Sequence, residues 1–198
     1  TCVSDAGSLT EKGALELAWL AKSDSLLEAT VGMAAINSLL EVDESQCVDL
    51  NAGDFLVEKG RGRRVAVVGH FPFVPRLREV ASELWVLERR PKDGDLVAEK
   101  AVEILPEADV VAITGTAFIN HTIDNLLSQC CPDSLVVVLG PTTPLSPILF
   151  EHGVDVISGT RVIDTDLALR CVAEGATFRQ VRGVRLVTMF RSPACVPG

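Results

Sequence analysis

The hydrophobic positions of this chain change their rhythm near residue 63. Before it they recur at helical spacing; after it they gather into short runs of Val, Ile, Leu and Ala, each closed by a loop. The run Val65-Ala-Val-Val-Gly-His-Phe-Pro-Phe73 is the most informative, since a buried strand that stops at a glycine and spills into a loop marks the first strand of a Rossmann-like unit. The same pattern predicts strands over 64–69, 84–88, 110–114, 135–139, 154–158 and 184–189, with helices near 75–82, 95–105, 119–130, 146–152 and 165–174. Strands alternating with helices imply an α/β fold: a Rossmann-like, three-layer, doubly wound and mostly parallel sheet. Helix punctuation agrees. Pro75 and Pro147 suit first helical positions, Ser146 and Asp164 suit N-caps, and Gly153 and Gly175 suit C-caps.

Residues 1–50 read as helical, without a clear strand. Leu15, Leu17, Ala18 and Trp19 carry helical spacing over 13–22, and Ser25-Leu-Leu-Glu28 is a capping-box pattern opening a second helix to about residue 40. In that helix Gly32, Ala34 and Ala35 are small enough for another backbone to come close. Asn37 is either a satisfied structural amide or a ligand contact. Residues 51–62, the end of a stretch rich in Asp, Glu and Gly, form the expected junction to a Rossmann-like domain over 63–198.

Bulk composition narrows the function classes. The 198 residues suffice for one sizeable core, and 47% hydrophobic with 5% aromatic content suits a parallel sheet of aliphatic strands. A formal charge of −9 argues against a nucleic-acid partner, because phosphate binding needs clustered Lys and Arg. The apolar runs are strand-length, well under the roughly 20 residues a membrane-spanning helix needs. Opening at Thr1 without Met or a signal-like segment, the chain is expected to begin inside a longer protein or after a cleavage. The six cysteines Cys2, Cys47, Cys130, Cys131, Cys171 and Cys195 form no C-x-x-C pair and read as reduced thiols of a cytoplasmic protein. Vicinal Cys130-Cys131 could capture a soft metal, but partly buried thiols are the simpler reading.

The loops following the strands hold the candidate chemistry. A dinucleotide fold would offer G-x-G-x-x-G after its first strand, whereas Gly69-His-Phe-Pro-Phe-Val-Pro75 keeps one glycine and adds bulk and prolines where a pyrophosphate would lie. Yet Glu88 falls nineteen residues after Gly69, where an acidic residue would hold a ribose hydroxyl. Thr114-Gly115-Thr116, with Asn120 beyond, makes a reasonable anion or carboxylate cradle; Asn120 is equally only a helix N-cap. Three prolines stiffen Gly140-Pro-Thr-Thr-Pro-Leu-Ser-Pro147 and hold Thr142 and Thr143 in place. Arg161 could hold an anion, and Asp164 a metal, a proton or only a helix end. His70, Glu88 and Asp164 share one edge of the sheet and form a donor set usable by a divalent transition metal. His121 and His152 are weaker candidates, the latter placed to offset a helix dipole. No G-x-S-x-G elbow, H-E-x-x-H or Walker loop occurs, and there is no Tyr.

Several of these strings together resemble the heavy-metal chelation domain family, long carried as a domain of unknown function. They are Gly32-Met-Ala-Ala-Ile-Asn37, Val68-Gly-His-Phe-Pro-Phe73, Leu87-Glu-Arg89, Leu105-Pro106 with Ala108-Asp-Val110, Thr114-Gly-Thr116 with Asn120, Gly140 to Pro147, and Gly153 to Gly159. The resemblance implies a Rossmann-like domain joined to a smaller N-terminal domain similar to the enolase N-terminal fold, of which residues 1–50 would be a helical remnant lacking its small sheet. It implies a cleft lined by Asn37, His70, Glu88, Thr114, Asn120, Thr143 and Asp164, and a role in handling a heavy-metal ion or metal complex, with a suggested link to anaerobic cobalamin synthesis. A small-molecule ligand or metal ion is then the expected partner, and a homo-oligomer is a further expectation. The alternative is an enzyme binding a nucleotide-like cofactor or small acid, with Glu88 on a hydroxyl and Thr114 to Thr116 on an anion.

Overall fold

The computed structural model describes residues 2–192. Its centre is an eight-stranded sheet. The strands are β1 (Cys47–Val48), β2 (Arg64–Val68), β3 (Glu83–Glu88), β4 (Leu96–Val97), β5 (Val110–Thr114), β6 (Leu135–Leu139), β7 (Val156–Val162) and β8 (Val184–Phe190), in spatial order β1-β8-β7-β6-β5-β2-β3-β4. From β7 to β4 all neighbours are parallel, while β8 and β1 close one edge antiparallel. Chain order runs outward from β2 in one direction and from β5 in the other, so the topological switch point lies between these two central strands.

Both faces of the sheet are covered, which is why its strands read as continuous apolar runs rather than alternating ones. Val110, Val111, Ala112 and Ile113 are all fully buried. One face packs Ala66, Val111, Ile113, Val136 and Val138 against α5 (Ala101–Ile104), α7 (Ile123–Gln129) and α8 (Ile148–Glu151). The other packs Val65, Val67, Val86 and Val137 against Phe55 and Leu56 of α3 (Ala52–Lys59) and Val74 and Leu77 of α4 (Val74–Val80).

The N-terminal helices are α1 (Ala14–Ala18), continued by a 3-10 turn over Trp19–Lys22, and α2 (Leu26–Leu39). Ala29 and Met33 of α2 pack on Ile119 of α6 (Thr116–Ile119), so α2 meets the sheet at the loop that follows β5. The small face of α2 is used as expected: a Cβ on Gly32 would lie 1.9 Å from the Ala21 backbone nitrogen. The chain from 165 to 173 forms α9 (Thr165–Ala173), capped by Asp164. No helix among the described residues is long and apolar enough to cross a membrane.

Several sequence expectations need correction. Residues 51–62 are no bare junction: Asn51 accepts hydrogen bonds from Gly53 N and Asp54 N and starts α3, whose Phe55 and Leu56 enter the core. Within 1–50, Cys47–Val48 is a strand that pairs with Met189 and Thr188. The helix expected near 95–105 begins instead as β4, because Leu96 and Val97 extend the sheet beside Leu87 and Glu88 before the chain coils. The helix expected near 119–130 is two helices, α6 and α7, separated where Asn120 Oδ1 accepts from Thr122 N and Oγ1 and His121 adopts φ 57°. β7 runs on to Val162 because β8 pairs with its whole length. The Ser25–Glu28 box does not form. Ser23 Oγ takes the Ser25 N–H, and the Glu28 carboxylate instead accepts from Ser23 Oγ, Ser4 N and Ser4 Oγ. Pro75 sits second in α4 and Pro147, rather than Ser146, is the N-cap of α8, whereas Gly153 and Gly175 take the positive φ of helix-ending residues as expected.

Candidate functional site

At the switch point the loops after β2, β5 and β6 come together under the end of α2, and two glycines let them do so. Gly69 has φ +105°, donates to the Leu87 carbonyl at 2.9 Å, and a Cβ there would lie 3.0 Å from Thr114 Cβ. Gly115 donates to the Leu139 carbonyl at 2.8 Å, and a Cβ there would lie 2.5 Å from Thr143 Oγ1. Strand ends this close leave no room for side chains between them.

Around these glycines stand most of the polar residues singled out in the sequence. Thr114 and Thr116 share a hydroxyl contact of 3.1 Å, and Thr116 N donates to Thr114 Oγ1 at 3.3 Å. Asn37 reaches from α2 to donate through Nδ2 to the Thr142 carbonyl at 3.2 Å. Its Oδ1 and the hydroxyl of buried Thr143 are shielded from solvent and have no hydrogen-bond partner among the described residues. Two orphaned oxygens on abutting elements are unusual, since buried polar groups are nearly always paired. Asn120 is committed to turning the chain between α6 and α7, but as the C-cap of α6 rather than the expected N-cap, which is Thr122.

The proposed metal donors do not assemble as a set. Among the described residues no three His, Cys, Asp or Glu side chains gather in a group able to hold a metal ion. Asp164 is occupied as the N-cap of α9, accepting from Leu167 N at 3.0 Å, and it follows a β7 that runs on past its expected end to Val162. Glu88 ends β3 and is half-buried. His70 has instead a partner the sequence does not reveal: its Nδ1 lies 3.5 Å from Oδ2 of Asp95, whose carboxylate is buried and also accepts from Lys92 N at 3.0 Å. Asp95 escapes sequence reading because it falls at the expected start of a helix; Gly94, at φ +87°, makes Lys92-Asp-Gly-Asp95 a turn. Arg161 is paired with Glu44 and is not free for an anion. His121 Nε2 contacts the Ser23 carbonyl at 2.9 Å, and His152 closes α8.

At this end of the molecule a cleft of about 920 Å³ opens on the α3 side of the sheet. Its walls are mostly apolar: Phe71 and Phe73, whose rings stack 5.1 Å apart, with Leu50, Leu139 and Leu186. Gly140, Ser158 and the first turn of α3 add polar groups, and Arg76 and Arg179 bring the only charges to its lining among the described residues. Most of these residues carry no motif. Only their position, after strands or at a helix start, could have marked them.

The cysteines lie elsewhere. Cys2, Cys47, Cys130, Cys131 and Cys171 are free thiols, and Cys195 is outside the described residues. Cys130 donates to the Leu126 carbonyl, and burial pushes its pKa up to about 11. Cys131 lines a smaller hollow of about 370 Å³ with Arg64, Asp109 and Ser134, away from the cleft.

Comparison with known proteins matches residues 51–190 to the DUF364 family and residues 1–40 to the DUF4213 family, both described as "Putative heavy-metal chelation". An uncharacterised protein of Methanocaldococcus jannaschii is 32% identical over 157 residues, covering 76% of this chain; the match spans 61% of the relative's length. Two crystal structures of DUF364 proteins with unknown function are similar over most of the chain. That from Desulfitobacterium hafniense is 28% identical with a TM-score of 0.81, covering 96% of this chain and 80% of its own. That from Pyrococcus horikoshii is 25% identical with a TM-score of 0.80, covering 89% and 74%. With a family model spanning most of its sheet and these structures sharing its architecture, the chain belongs to the DUF364 family.

Proposed function

We propose that this chain binds a heavy metal carried as a complex with an organic ligand, at the C-terminal edge of the sheet beside the switch point. The observation that carries this reading is the loop Gly69–Phe73: it bears His70, backed by Asp95, and its next three residues wall the cleft of about 920 Å³. A bare ion held by protein alone needs about four ligands for zinc and more for harder ions. The His70, Glu88 and Asp164 set does not fit that requirement, because Asp164 caps a helix. A metal arriving with most of its coordination filled needs only one or two protein donors. An imidazole whose second nitrogen faces a carboxylate is the usual form of such a donor, because the carboxylate fixes the ring's orientation. His70 would hold the metal through Nε2, with Glu88 on the neighbouring strand as a further oxygen donor, and the bound metal would supply Lewis acidity. The cleft volume lies in the range of small-molecule sites, about 300–1,000 Å³, far above what an ion needs. The family description supports metal handling.

The test is metal content by inductively coupled plasma mass spectrometry, with native mass spectrometry for organic mass, on untagged protein purified without chelators. The expected result is near-stoichiometric metal accompanied by an organic ligand, with the metal lost in His70→Ala and reduced in Asp95→Asn while circular dichroism is unchanged. Equal metal in wild type and His70→Ala, or none in wild type after incubation with cobalt, nickel and zinc salts and cell extract, overturns it.

A further inference from the structure

We propose that the cleft selects an organic acid, with the ligand's apolar body against Phe71, Phe73 and Leu186 and its carboxylate on the guanidinium of Arg179. This rests on the reading of the cleft as an organic-ligand site, and is independent of which metal, if any, the ligand carries. The sign of the charge follows from the lining. The chain has 27 acidic against 18 basic residues, yet among the described residues the cleft is lined by two arginines and by no Asp or Glu. The two arginines are not equivalent. Arg76 is taken, its Nη1 2.6 Å from Asp54 Oδ1. Arg179, on the short 3-10 turn Phe178–Gln180, makes no salt bridge or side-chain hydrogen bond among the described residues. That turn is fixed at its start, because Thr177 and Gln180 cap each other through the Thr177 N and Oγ1 contacts to Gln180 Oε1 at 3.0 and 2.8 Å. An unpaired guanidinium carried on a capped turn at the mouth of an apolar cleft offers a planar two-donor fork to a carboxylate.

The apolar walls set the rest of the ligand. Phe178 is 41% exposed and Leu186 50% exposed, both on the cleft, so apolar area stands open that a ligand would cover. An ion pair alone at this exposed position would add little, because water screens it. The acid must therefore bring a sizeable apolar body, whose burial supplies affinity while the arginine supplies the choice of acid over neutral analogue.

The experiment uses the whole metal-free chain and two probes of one shape, 2-naphthoate and its neutral counterpart 2-naphthamide, titrated by calorimetry. Wild type is expected to bind the acid about threefold more tightly than the amide, as an exposed charge pair predicts. Arg179→Gln abolishes that preference without weakening amide binding, and Phe71→Ala weakens both probes. Arg90→Gln, which makes the same change in net charge on the loop after β3, leaves the preference intact. Equal binding of the two probes by wild type overturns the acid assignment and leaves the cleft as an organic-ligand site. Binding of neither overturns the cleft reading as well. A preference surviving in Arg179→Gln, or lost equally in Arg90→Gln, assigns it to something other than Arg179 and also overturns the proposal.

Discussion

A Cβ added to Gly32 would stand 1.9 Å from the backbone nitrogen of Ala21 and 2.5 Å from its Cα. Gly32 lies in the middle of α2, where glycine costs about 1 kcal/mol relative to alanine by helix propensity alone. On propensity Gly32→Ala would stabilise. Contact with backbone reverses the sign, since the 3-10 turn over Trp19–Lys22 cannot rotate away as a flexible side chain would. The expected outcome is destabilisation at or above the upper end of the roughly 1–3 kcal/mol range for overpacked sites, measured by urea unfolding. Hydrogen exchange should show the loss of protection concentrated in residues 14–39, the helices held by this contact. Unchanged stability would mean that the turn over Trp19–Lys22 yields to the added methyl at no cost.

The loops after β5 and β6 meet with similar closeness, but here hydroxyl and backbone are both involved. Gly115→Ala would bring a methyl to 2.5 Å from Thr143 Oγ1 and 2.6 Å from Thr143 N, and is expected to cost about 1–3 kcal/mol. Thr143→Val tests the other half of the contact. The Thr143 hydroxyl is buried without a partner among the described residues, so an isosteric methyl removes an uncompensated polar group. Thermal unfolding should show Thr143→Val as stable as wild type or more so. A loss of more than about 1 kcal/mol would reveal a hydrogen bond to an ordered water at this point.

How acid affects the N-terminal helices follows from Glu28. Hydrogen bonds from the Ser23 hydroxyl, then from the Ser4 hydroxyl and backbone, lower its pKa from 4.5 to about 2. A depressed carboxylate pKa stabilises the fold above the ordinary value, and that contribution fades as pH falls from 4.5 towards 2. In Glu28→Gln the charge is absent at every pH. The stability difference between wild type and Glu28→Gln, followed by thermal unfolding against pH, should therefore be present at pH 7 and shrink across that window. A difference independent of pH would show that the carboxylate's charge is not what Ser4 and Ser23 recognise.

The sheet is legible in the sequence because its signal is redundant. Runs such as Val65 to Val67 and Val136 to Val138 are buried on both faces, so composition and length alone identify them, and the loops between them carry glycines whose conformations the fold requires. Capping at Asp164 is legible for the same local reason. What escapes is set by contacts distant in sequence. Cys47–Val48 is a strand only because Met189 and Thr188 lie beside it. Asp95 faces His70 only because β4 pairs with β3 and orders the turn before it. Ser25 and Glu28 match a capping box, but Ser4, twenty-four residues before Glu28, competes for the carboxylate. The polar loops can therefore be foreseen, and the apolar cleft beside them cannot: Leu50, Leu186 and Phe178 come from three separate segments with no shared motif.

Cysteine chemistry gives the remaining prediction. Vicinal Cys130 and Cys131 invite a reading as a soft-metal clamp, but a clamp needs thiolates. Burial raises the Cys130 pKa from 9.0 to about 11, and its sulfur already donates to the Leu126 carbonyl at 3.3 Å. A rise of that size lowers the thiolate fraction near neutral pH about 100-fold relative to an ordinary thiol. With iodoacetamide at pH 8, residue-resolved mass spectrometry should find exposed Cys2 modified first, and Cys130 modified last together with buried Cys171. The folded chain should also lose stability as pH rises from 9 towards 11, because unfolding releases Cys130 to ionise. Cys130→Ser should flatten that alkaline slope, since an uncharged hydroxyl does not titrate there. Modification of Cys130 as fast as Cys2 would mean that its side of the α7 end opens readily, and would return the pair to consideration as a metal-capturing site.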